Sequence, residues 1–297
     1  MILVGQRLLL CLLVISTIAA VLGAGCTTPD AGVAPPTYSL DADGALVITG
    51  IAPVYDETAA GFSGSDDGVS LSNLVFTGNG ADVHALLAAP TEPVAAVVLV
   101  PGAGVAAAAH EGRAVSYAEE GIATLVLDVR GNGGETAGHA GGLAEDLRRF
   151  TRGDTPQWYL TIGDIMAARM MLTERYRVPV YIVGSSNGGM TGAVAASLDE
   201  ESAGYFGIST SEIAAGDDTG QDVCAFVRSV DPGEYVAGIA PSPVWVFHAP
   251  EDAVIPFERG LSLFNAANSP KNFEAFNGTH GINAEVDSMV TGAILTF

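Results

Sequence analysis

Apolar residues in this chain cluster in short, nearly unbroken runs. Val94 to Val100, Ile122 to Leu127, Val178 to Val183, Tyr205 to Ile208 and Val244 to Phe247 are the clearest. Continuous runs of this length predict strands covered on both faces, where alternation would predict strands wet on one. Asn272 to Phe276 is a further short strand, and Ala45 to Ile51, Val69 to Phe76 and Val83 to Ala88 predict three more upstream. Segments of helical spacing separate the later runs: His110 to Glu120, Thr155 to Tyr176, Gly188 to Leu198, Phe257 to Ala267 and Asn283 to Leu295. Strand and helix in alternation imply right-handed crossovers and a parallel sheet. No internal repeat is visible.

Three stretches break this pattern. Asp56 to Gly68 is acidic and Gly-rich and reads as a loop. Gly131 to Asp154 and Ser209 to Ala240 are long connections. Connections of that length are often lids over a binding site, so 131–154 and 209–240 are expected either to shape a substrate pocket or to be plain surface insertions.

Length and composition narrow the class. The 297 residues suit one large α/β domain, and 48% apolar residues supply an ample core with only 7% aromatic. The formal charge is −22, from 34 acidic against 12 basic side chains, and Lys271 is the only lysine. Without a basic patch, nucleic acid is not an expected partner. The acid excess fits either simple solubility or a salt-rich habitat in which carboxylate repulsion is screened.

The N-terminus reads as targeting rather than fold. Arg7 precedes an apolar run from Leu8 to Leu22, and Gly23-Ala24-Gly25-Cys26 follows. Small residues before a cysteine resemble a prokaryotic lipoprotein signal. That implies cleavage of residues 1–25, lipidation of Cys26, a tether over 26–37 and a folded domain over 38–297, held outside the cytoplasm at the cell membrane. The alternative is an uncleaved anchor helix, for which the run is near the short limit. With Cys11 in the signal and Cys26 at the lipid site, Cys224 is the one cysteine of the folded domain and is expected to be a small buried residue.

The candidate chemistry begins at Gly184-Ser185-Ser186-Asn187-Gly188. This G-x-S-x-G follows a strand and opens a helix. A sharp strand-to-helix turn exposes a serine hydroxyl, and glycines on either side leave room for it. Two candidate partners follow: Asp252, just past the strand Val244 to Phe247, and His280, in the glycine-flanked loop after Asn272 to Phe276. Imidazole titrates near about 6.5 and suits a general base. His248 is the rival base; Glu251, Asp217 and Asp218 are rival acids.

With Val97-Val98-Leu99-Val100-Pro101-Gly102-Ala103-Gly104 and Asp128-Val129-Arg130-Gly131-Asn132-Gly133, these motifs resemble the α/β-hydrolases, near the dienelactone hydrolases and small serine esterases, over roughly residues 70–297. Pro101-Gly102 stands where the family commonly has His-Gly, and Glu135 or Thr136 where many relatives have Ser. The resemblance implies an α/β-hydrolase fold: a mostly parallel, doubly wound sheet with antiparallel N-terminal strands. It implies Ser186 as nucleophile, His280 as base and Asp252 as orienting acid, in the family's chain order, with the backbone N–H groups of Ala103 and Asn187 as oxyanion hole. It places His248 behind the site, and makes Asp128 structural with Arg130 as its partner. The substrate it implies is a small-molecule carboxylic ester; an amide or peptide bond is the alternative, and a non-catalytic binding lipoprotein a third. No cofactor is called for. Asp41, Asp43, Asp66 and Asp67 lack calcium-loop spacing, so no metal site is expected.

Overall fold

A computed structural model describes residues 34–59, 68–77, 79–213 and 220–297, all within the unit Val33–Phe297. The expected signal segment, Cys11, Cys26, Asp66, Asp67, Asp217 and Asp218 lie outside the described residues.

Two short strands, β1 (Thr37–Leu40) and β2 (Leu46–Thr49), form an antiparallel pair. Thr37, the last residue of the expected tether, is therefore already paired. The main sheet starts with β3 (Tyr55–Ala59), β4 (Val69–Phe76) and β5 (Val83–Pro90), all antiparallel neighbours. Six parallel strands follow: β6 (Ala95–Val100), β7 (Ile122–Leu127), β8 (Val180–Ser185), β9 (Gly204–Ile208), β10 (Val244–His248) and β11 (Lys271–Ala275). Their order across the sheet is β11-β10-β9-β8-β6-β7-β5-β4-β3. The unbroken apolar runs are the buried ones: every residue of β6, β7 and β8 is buried.

Helices cover both faces. On one side α3 (Gln157–Tyr176) and α4 (Asn187–Leu198) pack Ile162, Ile165, Leu172 and Val194 against Val98, Leu125 and Ile182. On the other, α1 (Glu111–Glu119) and α8 (Ala284–Ile294) pack Tyr117, Val286 and Val290 against Val97, Leu99 and Val126. Helix α7 (Phe257–Ala266) packs beside β10. No helix among the described residues is long and apolar enough to cross a membrane.

The structure corrects several sequence expectations. Asp56 to Gly68 does not start as a loop, because Tyr55–Ala59 is a strand at the edge of the sheet. Its polar sequence carries no apolar signal; ladder bonds to β4 and an ion pair from Arg175 to Glu57 at 2.6 Å hold it. The segment 131–154 contains the helix α2 (Gly142–Thr151), and 209–240 contains α5 (Gln221–Val230) and the single turn α6 (Pro232–Tyr235). Cys224 is exposed on α5 rather than buried, since the helix turns Phe226 and Val230 inward instead.

Candidate active site

The parallel strands deliver their loops to one edge. β6 and β8 are adjacent, so the loop after β6 lies against the turn after β8. At that turn Ser186 adopts φ +53°, ψ −124°, a conformation that costs of order 1–3 kcal/mol for a side-chain-bearing residue. It persists because the turn is tied on both sides. The Ser186 N–H donates to the Ile208 carbonyl at 2.9 Å; its carbonyl accepts from Met190 N–H at 3.1 Å and Thr210 Oγ1 at 3.0 Å. The flanking glycines are required by close approach. A Cβ on Gly184 would sit 2.3 Å from the Gly188 oxygen, and one on Gly188 only 2.1 Å from the Val100 oxygen.

Asp252 lies in the turn after β10 with its side chain wholly buried. Its Oδ1 accepts from the Val254 and Ile255 N–H groups, both at 2.9 Å, and His280 Nδ1 lies 2.9 Å from its Oδ2 and 3.1 Å from its Oδ1. Burial pushes this carboxyl up, but the bonds from Ile255, His280 and Val254 outweigh it and hold the group below the usual carboxylate range. A carboxylate only accepts, so Nδ1 carries the imidazole proton and Nε2 of the neutral ring is left as a base. Glu251 is exposed in the same turn and does not meet the ring. Ser186 Oγ makes no hydrogen bond among the described residues, so the histidine–carboxylate half of the constellation is formed and the serine–histidine bond is not.

His248 is fully buried behind this turn. Its Nε2 donates to the Ile255 carbonyl at 2.9 Å and lies 3.6 Å from Asp252 Oδ2. Its Nδ1 is buried with no hydrogen-bond partner among the described residues, packed so closely on Gly260 that a Cβ there would lie 2.2 Å away. It props the Asp252 turn and faces no open space.

Neither the Ala103 nor the Asn187 N–H is engaged in an intramolecular hydrogen bond among the described residues, and Asn187 opens α4, where the helix dipole favours negative charge. A cleft of about 220 Å³ opens beside both, walled by Asn132, His139, Trp158 and Thr161. The first of the two long connections thus contributes Asn132 and His139 to the cleft.

Asp128 and Arg130 do not pair. The Asp128 carboxylate accepts from Ala107 N–H at 3.0 Å and Thr136 N–H at 2.8 Å. Arg130 reaches into the helical layer instead: Nε and Nη2 bind Asp164 on α3 at 2.6 and 2.9 Å, with both side chains buried. Asp128 is taken up by the backbone before α1 and at Thr136, while Arg130 faces α3.

Comparison with known proteins agrees with this architecture. Residues 91–210 match the family model described as serine aminopeptidase, S33. No curated protein matches the chain. Among solved structures, acetyl xylan esterase 1 from Thermoanaerobacterium sp. JW/SL YS485 superposes with a TM-score of 0.68 at 18% identity, over 83% of this chain and 88% of that one. An acetyl xylan esterase from Paenibacillus sp. R4 gives 0.69 at 17% identity, over 82% and 88%. A cold-adapted esterase from an Arctic intertidal metagenomic library gives 0.58 at 19%, over 80% and 97%. The chain has the α/β-hydrolase fold.

In this α/β-hydrolase fold β11 lies three strands from β8, roughly 14 Å at ~4.8 Å per strand, so the His280 loop must reach back across the sheet edge. Ser209, after β9, catches it: its buried Oγ accepts from Gly281 N–H at 3.1 Å while its backbone holds φ +46°. Arg113 of α1 adds a bond to the Ile282 carbonyl at 3.2 Å. Sequence reasoning missed both residues. No motif surrounds Ser209, and a lone Arg on a helix carries no signal of its target.

Proposed function

We propose that this chain is a serine hydrolase that cleaves carboxylic esters through an acyl-enzyme. The observation that carries the reading is the strained Ser186 turn, whose next residues Asn187 and Gly188 line a cleft together with Ala103, with the Ala103 and Asn187 N–H groups unengaged among the described residues. Strain of this kind collects at functional sites. In the proposed reaction Ser186 Oγ attacks the ester carbonyl and His280 Nε2 takes its proton. The Ala103 and Asn187 N–H groups stabilise the oxyanion, and collapse expels the alcohol, protonated by His280. Water, deprotonated by the same ring, then releases the acid and regenerates Ser186. Asp252 keeps the proton on Nδ1 and stabilises the imidazolium. Substrate arrival closes the Ser186–His280 gap, as catalytic hydrogen bonds commonly tighten only in the bound complex. The connection 131–154 shapes the pocket.

A fluorophosphonate probe tests this. The purified chain should be labelled, and Ser186→Ala should abolish both labelling and hydrolysis of p-nitrophenyl acetate; an unlabelled, folded wild type would sink the proposal. The family model over 91–210 supports a second reading, an aminopeptidase. Turnover of aminoacyl p-nitroanilides in preference to p-nitrophenyl esters would favour it.

The N-terminal sequence supports anchoring to the outer face of a membrane through lipid on Cys26. Intact mass of the membrane-bound protein should lack residues 1–25 and carry a lipid-sized addition. An unmodified full-length chain would instead indicate an anchor helix.

A further inference from the structure

We propose that Asn132 is the positioning residue of the oxyanion loop, fixing the peptide that presents the Ala103 N–H. The proposal rests on the ester-hydrolase reading above. Ala103 sits between Gly102 and Gly104 in a segment without regular structure, whose own backbone bond is a long one, Val105 N–H to the Gly102 carbonyl at 3.3 Å. Unaided, such a loop would not hold one N–H steady.

The Asn132 amide supplies the missing ties. Its Nδ2 donates to the Gly102 carbonyl at 2.9 Å and to the Val105 carbonyl at 3.3 Å, and its Oδ1 accepts from the Gly104 N–H at 3.2 Å. The residues on both sides of Ala103 are thereby bound to one planar group, while the Ala103 N–H stays unengaged. Few side chains can do this. The task needs two donors and an acceptor in one short amide. An aspartate would turn a carboxylate oxygen on two carbonyls, and an alanine would reach nothing.

Asn132 is itself held from behind. Arg130, two residues earlier, is clamped on Asp164 by the buried bidentate pair, and its carbonyl accepts from Gln157 Nε2 at 3.0 Å. Gly131 lets the chain turn directly against His139, whose carbonyl oxygen would lie 2.4 Å from a Cβ there. The anchor therefore runs from α3 through Arg130 to Asn132 and on to the oxyanion loop. A donor displaced by part of an ångström loses much of its effect on a developing oxyanion, and complete loss of one such donor lowers kcat by about 10²–10³.

Two variants test this, Asn132→Ala and the equally sized Asn132→Asp, the latter carrying the test if the former does not fold. The readouts are kcat and KM on p-nitrophenyl acetate, the fluorophosphonate inactivation rate, and melting temperature. The expected result is a kcat lowered at least tenfold, KM within about twofold, inactivation slowed in parallel and melting shifted by only a few degrees. Wild-type kcat in both variants would overturn the proposal. So would a raised KM with unchanged kcat, which would make Asn132 a substrate contact. Failure of the underlying reading is distinguishable: Ser186→Ala would then hydrolyse the ester as the wild type does.

Discussion

Replacing Asp252 by Asn tests the proposed division of labour most directly, because the structure fixes which way the new amide must face. Oδ1 accepts two backbone N–H groups at 2.9 Å in a fully buried place. Turning an NH2 onto them would bury opposed donors, at about 1–3 kcal/mol each. The amide oxygen therefore stays there, and the NH2 faces His280 Nδ1, where Oδ2 now lies at 2.9 Å. Nδ1 lies nearer to that NH2 position than to the amide oxygen at 3.1 Å and then accepts, so the ring proton moves to Nε2 and the base is occupied. Restoring the productive tautomer sets two donors head to head, costing about 1–2 kcal/mol. The imidazolium that forms also loses its carboxylate, worth about 4 kcal/mol for unit charges about 4 Å apart at an effective dielectric of about 20. Together these give about 5–6 kcal/mol, or about 10⁴ in rate at 1.36 kcal/mol per decade, the size of loss seen for this change in a well-studied serine protease. Asp252→Ala makes the contrast. It strands the Val254 and Ile255 N–H groups and should lower the melting temperature more than Asn does, yet with no amide to impose the wrong tautomer it should retain no less activity. The assay is kcat/KM on p-nitrophenyl acetate at matched folded fraction. An Asp252→Asn enzyme within tenfold of wild type would refute the reasoning, as would an Asp252→Ala variant that is more stable than the Asn one.

Two further outcomes concern the scaffold. Arg130→Met leaves Asp164 buried without its guanidinium and should cost about 3–5 kcal/mol in urea unfolding, whereas the double change Arg130→Met with Asp164→Leu should recover most of it; a single-variant loss below about 1 kcal/mol would show that the pair anchors nothing. With 34 acidic and 12 basic side chains, the chain should gain melting temperature between low salt and molar NaCl, as the Debye length falls from about 30 Å at 0.01 M to about 3 Å at 1 M; a flat curve would remove the salt-habitat reading.

The sequence by itself determined what local pattern can determine. Buried strands announced themselves as unbroken apolar runs, and β4 and β7 span the residues their runs predicted. Gly184 marked a turn too tight for a Cβ because the turn's own Gly188 and Gly189 crowd it, whereas the room Gly188 needs is set by Val100 and Pro101 of the adjacent strand end. Edge strand β3 escaped notice because ladder bonds, which any residue but proline can both give and take, hold it. Only the tertiary structure decided who meets whom. Asp252 rather than Glu251 faces His280 because the turn after β10 buries one carboxylate and exposes the other. Arg130 passes by Asp128 for Asp164, because α3 brings that carboxylate within 2.6 Å while backbone N–H groups already occupy the Asp128 oxygens. Ser209 and Asn132 act on loops 72 and 30 residues away, through hydrogen bonds that leave no periodicity, composition or spacing for a sequence to display.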